Sequence, residues 1–118
     1  MKISIALATY NGSQYLTEQL QSYLDQDRMP DELVISDDCS TDGTCNLIDR
    51  FSERAPFDVR VIRQPIQRGY VANFDCALSM ATGDLIFLSD QDDVWLPQKI
   101  SEVCDFIEKN PDFLLVLN

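Results

Sequence analysis

The stretch LIFLSDQDDVW, residues 85–95, runs an apolar segment straight into three carboxylates, Asp90, Asp92 and Asp93. Carboxylates packed this closely raise one another's pKa or recruit a cation, and burying them unpaired is costly. A second acidic pair, Asp37 and Asp38, closes the apolar run ELVIS at 32–36. The chain has no histidine, and Cys39, Cys45, Cys76 and Cys104 show no CxxC spacing, so zinc is disfavoured. A metal held here would take oxygen ligands, which favours Mg²⁺ or Mn²⁺. Mg²⁺ commonly binds through one or two carboxylates and completes its shell with water and substrate phosphates, so a phosphorylated ligand is expected. The metal would turn an acidic rim that repels phosphate into one that binds it.

Each feature also has a plainer reading. Loop aspartates cap helices and favour turns: Asp42 is placed for a cap, Asp93 for a cap or a surface position, and the pair at 37 and 38 for a turn. Trp95 is expected to close over the core rather than stack on a ligand. Arg68, beside Gly69, could meet a phosphate or an exposed carboxylate. The cysteines read as small hydrophobes without a redox task.

The elements that must position these residues alternate. Strands are predicted at ISIALA (3–8), ELVIS (32–36), VRVI (59–62), LIFLS (85–89) and FLLVL (113–117). Between them lie helical spacings. Ser13 is a candidate cap before Leu16, Leu20, Tyr23 and Leu24; Thr41 or Asp42 precedes Leu47, Ile48 and Phe51. A third helix after Gly69 turns Val71, Phe74, Leu78 and Ala81 inward, with Gly83 as its stop. A fourth starts near Pro97 and carries Ile100, Val103 and Ile107. Such alternation implies an α/β fold, a parallel doubly wound sheet with helices on both faces. Ligands of these sheets bind outside the carboxyl ends of the strands, which are the loops ATYNG, DDCSTDGT, RQPIQRG and DQDDVW.

Composition narrows the function classes. At 118 residues the chain fits a single domain with a real core. Twenty acids against nine bases, net charge −11, argue against a nucleic-acid partner. The longest apolar run, FLLVL, is far short of the ~20 residues of a membrane span, and MKISIALATYNG lacks a leader's cleavage site, so the chain reads as cytoplasmic. Neither GxGxxG nor GxxxxGK[ST] is present.

ATYNG at 8–12, DDCSTDGT at 37–44 and FLSDQDDVWLPQKI at 87–100, in this order and spacing, resemble the nucleotide-sugar-binding half of glycosyltransferase family 2. DQDD followed by VWLPQK looks most similar to bacterial rhamnosyltransferases and other surface-polysaccharide members. The resemblance implies the GT-A fold, a Rossmann-like, mostly parallel sheet, and transfer of a sugar from a nucleotide-diphosphate donor to a saccharide or lipid-linked saccharide hydroxyl, with inversion. It implies that Ala8, Thr9, Tyr10 and Asn11 border the donor, Tyr10 near the base. Asp37 and Asp38 would meet base and ribose, with Asp38 toward the base. Asp90 would lie on the ribose and sugar side, and Asp92 would bind the metal. Where many members have Asn-x-Gly, this chain has Gln67, Arg68 and Gly69. The family's general base lies well downstream of its DxD motif, so it is expected beyond Asn118, in a longer enzyme with peripheral contact at the inner membrane face.

Two alternatives compete. A strand followed by Asp90, Asp92 and Val94 also resembles the first motif of haloacid-dehalogenase-type phosphatases, although only 24 residues follow Val94. An acidic pocket at strand ends also resembles receiver domains, whose acidic pair follows the first strand rather than the second.

Overall fold

The structure, a computed structural model, describes residues 1–90 and 93–111. Four parallel strands, β1 (Ile3–Thr9), β2 (Glu32–Asp37), β3 (Asp58–Arg63) and β4 (Leu85–Asp90), form a sheet in the order β3-β2-β1-β4. The helices α1 (Ser13–Leu24), α2 (Thr44–Arg54), α3 (Tyr70–Met80) and α4 (Lys99–Lys109) alternate with them. Each predicted strand in this region agrees with the observed one to within a residue at either end. The fifth predicted strand, 113–117, lies outside the described residues.

β1 is buried along its whole length. Its two faces differ in size. Ile3, Ile5 and Leu7 join Leu33, Ile35 and Phe87 in a large core with Leu16, Leu20 and Tyr23 of α1, Ile48 and Phe51 of α2, and Ile100 and Cys104 of α4. The other face carries Ser4, Ala6 and Ala8; there Ala6 and Val34 pack against Ala77 and Phe74 of α3 and Ala81 just after it. Small residues on this face let α3 lie close to the strands. Trp95 is nearly buried in the large core, its ring 5.1 Å from Tyr23 and 5.6 Å from Phe87, with the Lys99 ammonium 4.2 Å from its centre. It is the lid that the sequence led us to expect.

α3 is rotated from its expected setting. Asn73 and Ala77 are its buried residues, while Val71 is 78% and Leu78 38% exposed. The polar Asn73 is drawn inward by hydrogen bonds: its Nδ2 donates to the Thr9 carbonyl at 3.1 Å, and its Oδ1 accepts the Ser36 hydroxyl at 2.7 Å. Satisfied in this way, a buried amide incurs little penalty and sets which face of the helix turns in.

Helix starts also differ from expectation. Ser13 makes no side-chain cap and is itself the first residue of α1. The Asp42 carboxylate instead accepts the Ser13 amide at 3.2 Å and, at its other oxygen, the Thr44 amide at 2.9 Å, so one side chain serves the first residues of both α1 and α2. The Thr44 hydroxyl, donating at 2.5 Å, is the main cause that holds the exposed Asp42 at about 2, against a smaller desolvation effect. Gly83 does not end α3, which stops at Met80. Its amide donates to the Ser4 hydroxyl at 2.8 Å, and a Cβ there would sit 2.5 Å from Ser4 Oγ, 2.8 Å from Ser4 N and 2.9 Å from Lys2 O. Glycine is needed for close approach to β1.

Beneath the strands Glu32 is 3% exposed. Its carboxylate accepts the Ser4 hydroxyl at 2.5 Å, the Thr82 amide at 2.8 Å and the Arg60 guanidinium at 2.7 Å. Burial pushes its pKa up, but the hydrogen bonds from Ser4, Thr82 and Arg60 together outweigh it and hold the group at about 2, against an ordinary 4.5.

Two predictions follow from this end of the sheet. Gly83→Ala must displace backbone of the central strand and is expected to lower stability by about 1–3 kcal/mol in urea unfolding; an unchanged midpoint would show that the loop yields freely. Glu32 binds fewer protons folded than unfolded, so its contribution is complete above pH 4.5 and is lost as pH falls toward about 2. Stability measured between pH 6 and 2 should therefore fall more steeply for the native chain than for Glu32→Gln, and parallel curves would contradict this.

Candidate functional site

The strand register brings three loops level. Thr9 lies opposite Asp37 on one side of β1, and Ala8 opposite Asp90 on the other. The acidic ends of β2 and β4 therefore flank the end of β1. A cavity of about 320 Å³ opens there, with Ala8, Thr9 and Tyr10 from the first loop, Asp38 from the second, Gln67 and Gly69 from the third, and Tyr70 and Asn73 of α3.

The loops are laced to one another. Asn11, in the left-handed region at φ 46°, donates its amide to Ser40 Oγ at 2.9 Å and accepts the Thr41 amide at 2.8 Å. Gly12 donates to Thr44 Oγ1 at 2.9 Å. Cys39, also left-handed at φ 62°, carries the chain round the turn after Asp38.

The expected site residues fall into distinct settings. Asp37 is 1% exposed, and its carboxylate accepts the hydroxyls of Thr9 and Ser40, each at 2.6 Å, and the Ser40 amide at 2.9 Å. Its position beneath the loop makes it the post that the turn is built on. The Cys45 thiol lies 3.5 Å from it and is pushed up by burial and then by the Asp37 charge, which keeps it protonated. Asp38 faces the cavity. Its two oxygens accept the amides of Arg68 at 2.7 Å and Gly69 at 2.9 Å, and its own amide donates to the Thr9 carbonyl at 2.9 Å. Arg68 thus enters the site through its backbone, while its side chain is exposed. Gly69, at φ 95°, takes a conformation that disfavours any side chain.

Across the cavity, Asp90 is exposed and accepts the Tyr70 hydroxyl. That bond, with burial second, pushes the Tyr70 phenol up to about 12. The end of β4 is tied to α1: Gln19 donates to the Asp90 carbonyl and to Ser89 Oγ, and Tyr23 shares a 2.6 Å hydrogen bond with Ser89. Asp93 turns to the Trp95 indole, whose N–H reaches it at 3.3 Å, and α4 begins later, after Gln98. Among the described residues no three acidic or cysteine side chains gather into a metal cluster, and Asp92 lies outside those residues. The acidic rim expected from the sequence is thus divided in the structure: Asp38 lines the cavity, Asp90 stands at its edge, and Asp37 and Asp93 are engaged elsewhere.

Sequence reasoning missed Tyr70, Asn73 and Gln19. Asn73 and Gln19 left a signal: each is a polar residue set among apolar positions at helical spacing. Tyr70 left none, because a tyrosine at the start of an apolar helix reads as packing.

The chain matches glycosyl transferase family 2 over residues 4–117. It is 33% identical over 108 residues to the dTDP-rhamnosyl transferase RfbG of Shigella flexneri, covering 88% of this chain and 37% of that protein. Residues 1–349 of Staphylococcus aureus TarS, solved in complex with UDP-GlcNAc, superpose with a TM-score of 0.84 at 31% identity, covering 92% of this chain and 32% of that one. A mannosyltransferase from Pyrobaculum calidifontis, solved with GDP-Man and Mn²⁺, gives 0.81 at 26% identity, over 90% and 32%. The chain spans about a third of the length of the curated relatives it matches. The match takes in all three motif loops, including ATYNG and DDCSTDGT, which the phosphatase reading left unexplained. With the sheet order, the level strand ends and the motif loops in agreement, the chain belongs to glycosyltransferase family 2 and has the GT-A architecture.

Proposed function

We propose that residues 1–118 form the donor-binding portion of a metal-dependent enzyme that moves a sugar from a nucleotide-diphosphate donor to an acceptor hydroxyl, with inversion, in bacterial cell-surface polysaccharide synthesis. The observation that carries this reading is the cavity at the end of β1, lined by Asp38 and edged by Asp90, in a fold shared with a structure holding UDP-GlcNAc. The acceptor is a saccharide or lipid-linked saccharide, the enzyme is cytoplasmic, and the general base lies beyond Asn118. Among the described residues no helix is long and apolar enough to cross a membrane.

Within this reading the residues divide the work. Ala8, Thr9 and Tyr10 border the nucleobase. Asp38, its geometry fixed by two backbone amides, presents an acceptor to a base N–H. Asp37 supports that loop from below, and Asn11 laces it to the first. Arg68 holds the third loop against Asp38. Asp90 faces the ribose and sugar. The donor set suits a hard cation: every candidate ligand is a carboxylate oxygen, and Asp90 is solvent-facing two residues before Asp92. Asp92 would hold Mg²⁺ or Mn²⁺, and a cation bound there would supply charge neutralisation for a leaving diphosphate.

The test is a titration of the chain with UDP, GDP and dTDP, with and without Mn²⁺, followed by Trp95 fluorescence. Binding should need Mn²⁺ and be lost in Asp92→Ala; failure of every nucleotide to bind the folded chain would overturn the reading. Asp38→Asn leaves one of the two backbone amides without its acceptor, at about 1–3 kcal/mol. It should weaken binding at every Mn²⁺ concentration and lower the melting temperature, whereas unchanged binding would remove Asp38 from the site.

A further inference from the structure

We propose that Tyr70 is a positioning residue of the donor site: its ring walls the cavity while its hydroxyl holds the Asp90 carboxylate toward it. The inference rests on the donor-site reading above and adds a residue to it.

Two contacts hold this side chain, and a third fixes the backbone that delivers it. The Asp38 carboxylate grips the amides of Arg68 and Gly69, so the chain entering α3 is fixed relative to β2. The positive φ of Gly69 then turns it so that Tyr70 starts the helix at the rim. One turn on, the Phe74 ring meets the Tyr70 ring edge-on, centroids 5.7 Å apart at 70°, which limits where the phenol can point. Its hydroxyl reaches Asp90 Oδ1.

Tyr70 is 61% exposed, so its burial adds little to the core. An exposed tyrosine held by a ring contact at one end and a carboxylate at the other is placed for a task in the crevice. The backbone of Asp90 is already secured from the opposite side by Gln19. Tyr70 restrains the side chain as well, so Asp90 meets a ligand with one rotamer chosen in advance. Pre-organisation of this kind lowers the ordering cost of binding. It also links the two halves of the crevice, since the same residue lines the wall shared with Asp38.

A double-mutant cycle on the 118-residue chain tests this, with UDP, GDP and dTDP in Mn²⁺ as probes. Tyr70→Phe keeps the ring and removes the hydroxyl; it should weaken nucleotide binding about tenfold, the scale of one hydrogen bond to a charged group, with the melting temperature unchanged. Because Tyr70 acts through Asp90, adding Tyr70→Phe to Asp90→Ala should cost nothing further. Wild-type affinity in Tyr70→Phe, or losses that multiply in the double variant, would overturn the positioning role and leave the donor site standing. A native chain that binds none of the three nucleotides would instead overturn the donor site, and Tyr70 with it.

Discussion

A strand that is hydrogen-bonded along both edges and covered on both faces has only its end to offer a ligand. β1 is such a strand, paired with β2 on one side and β4 on the other and buried from Ile3 to Thr9. Everything else in the molecule is arranged around that constraint. Large side chains on one face recruit α1, α2 and α4, and small ones on the other admit α3. The register carries the ends of the neighbouring strands to the same level, so the polar residues that cannot enter the sheet collect in one place.

Much of this was legible because the sequence obeys simple periods. Near-continuous apolar runs such as ISIALA read as strands covered on both faces, and the helical spacing of Leu16, Leu20 and Tyr23 or of Leu47, Ile48 and Phe51 needs no tertiary information. The loops with chemistry were legible for the same reason, since alternation alone says where strand ends lie. What could not be read was anything decided by a partner distant in sequence. Asn73 turns inward because Thr9 and Ser36 await it, and Asp42 takes the part assigned to Ser13 because the two loops meet in space. Gly83 looked like a helix stop until the neighbouring strand showed what a side chain would strike.

The acidic composition takes on a different meaning once partners are counted. Much of the negative charge near the crevice is structural: Asp37 is satisfied by hydroxyls and an amide, and Asp42 by Ser13 and Thr44. Glu32, at the opposite end of the sheet, closes the base of the strands by the same device. A carboxylate that accepts several internal donors is held in one orientation. The chain thus uses aspartate as a rigid acceptor in several places and leaves few of its acids to face a ligand.

Asn11 and Cys39 both occupy left-handed backbone without being glycine, one on each of the laced loops. Such conformations cost on the order of 1 kcal/mol or more apiece and persist only where surrounding contacts insist on them. The insisting contacts here are hydrogen bonds: at the surface the Asn11 amide donates to the Ser40 hydroxyl and the Thr41 amide to the Asn11 side chain, and beneath them Ser40 donates to Asp37. Thermal energy will break these before it opens the sheet. The rim is therefore expected to loosen on warming before the strands part, so the shape of the crevice is more fragile than the sheet that carries it.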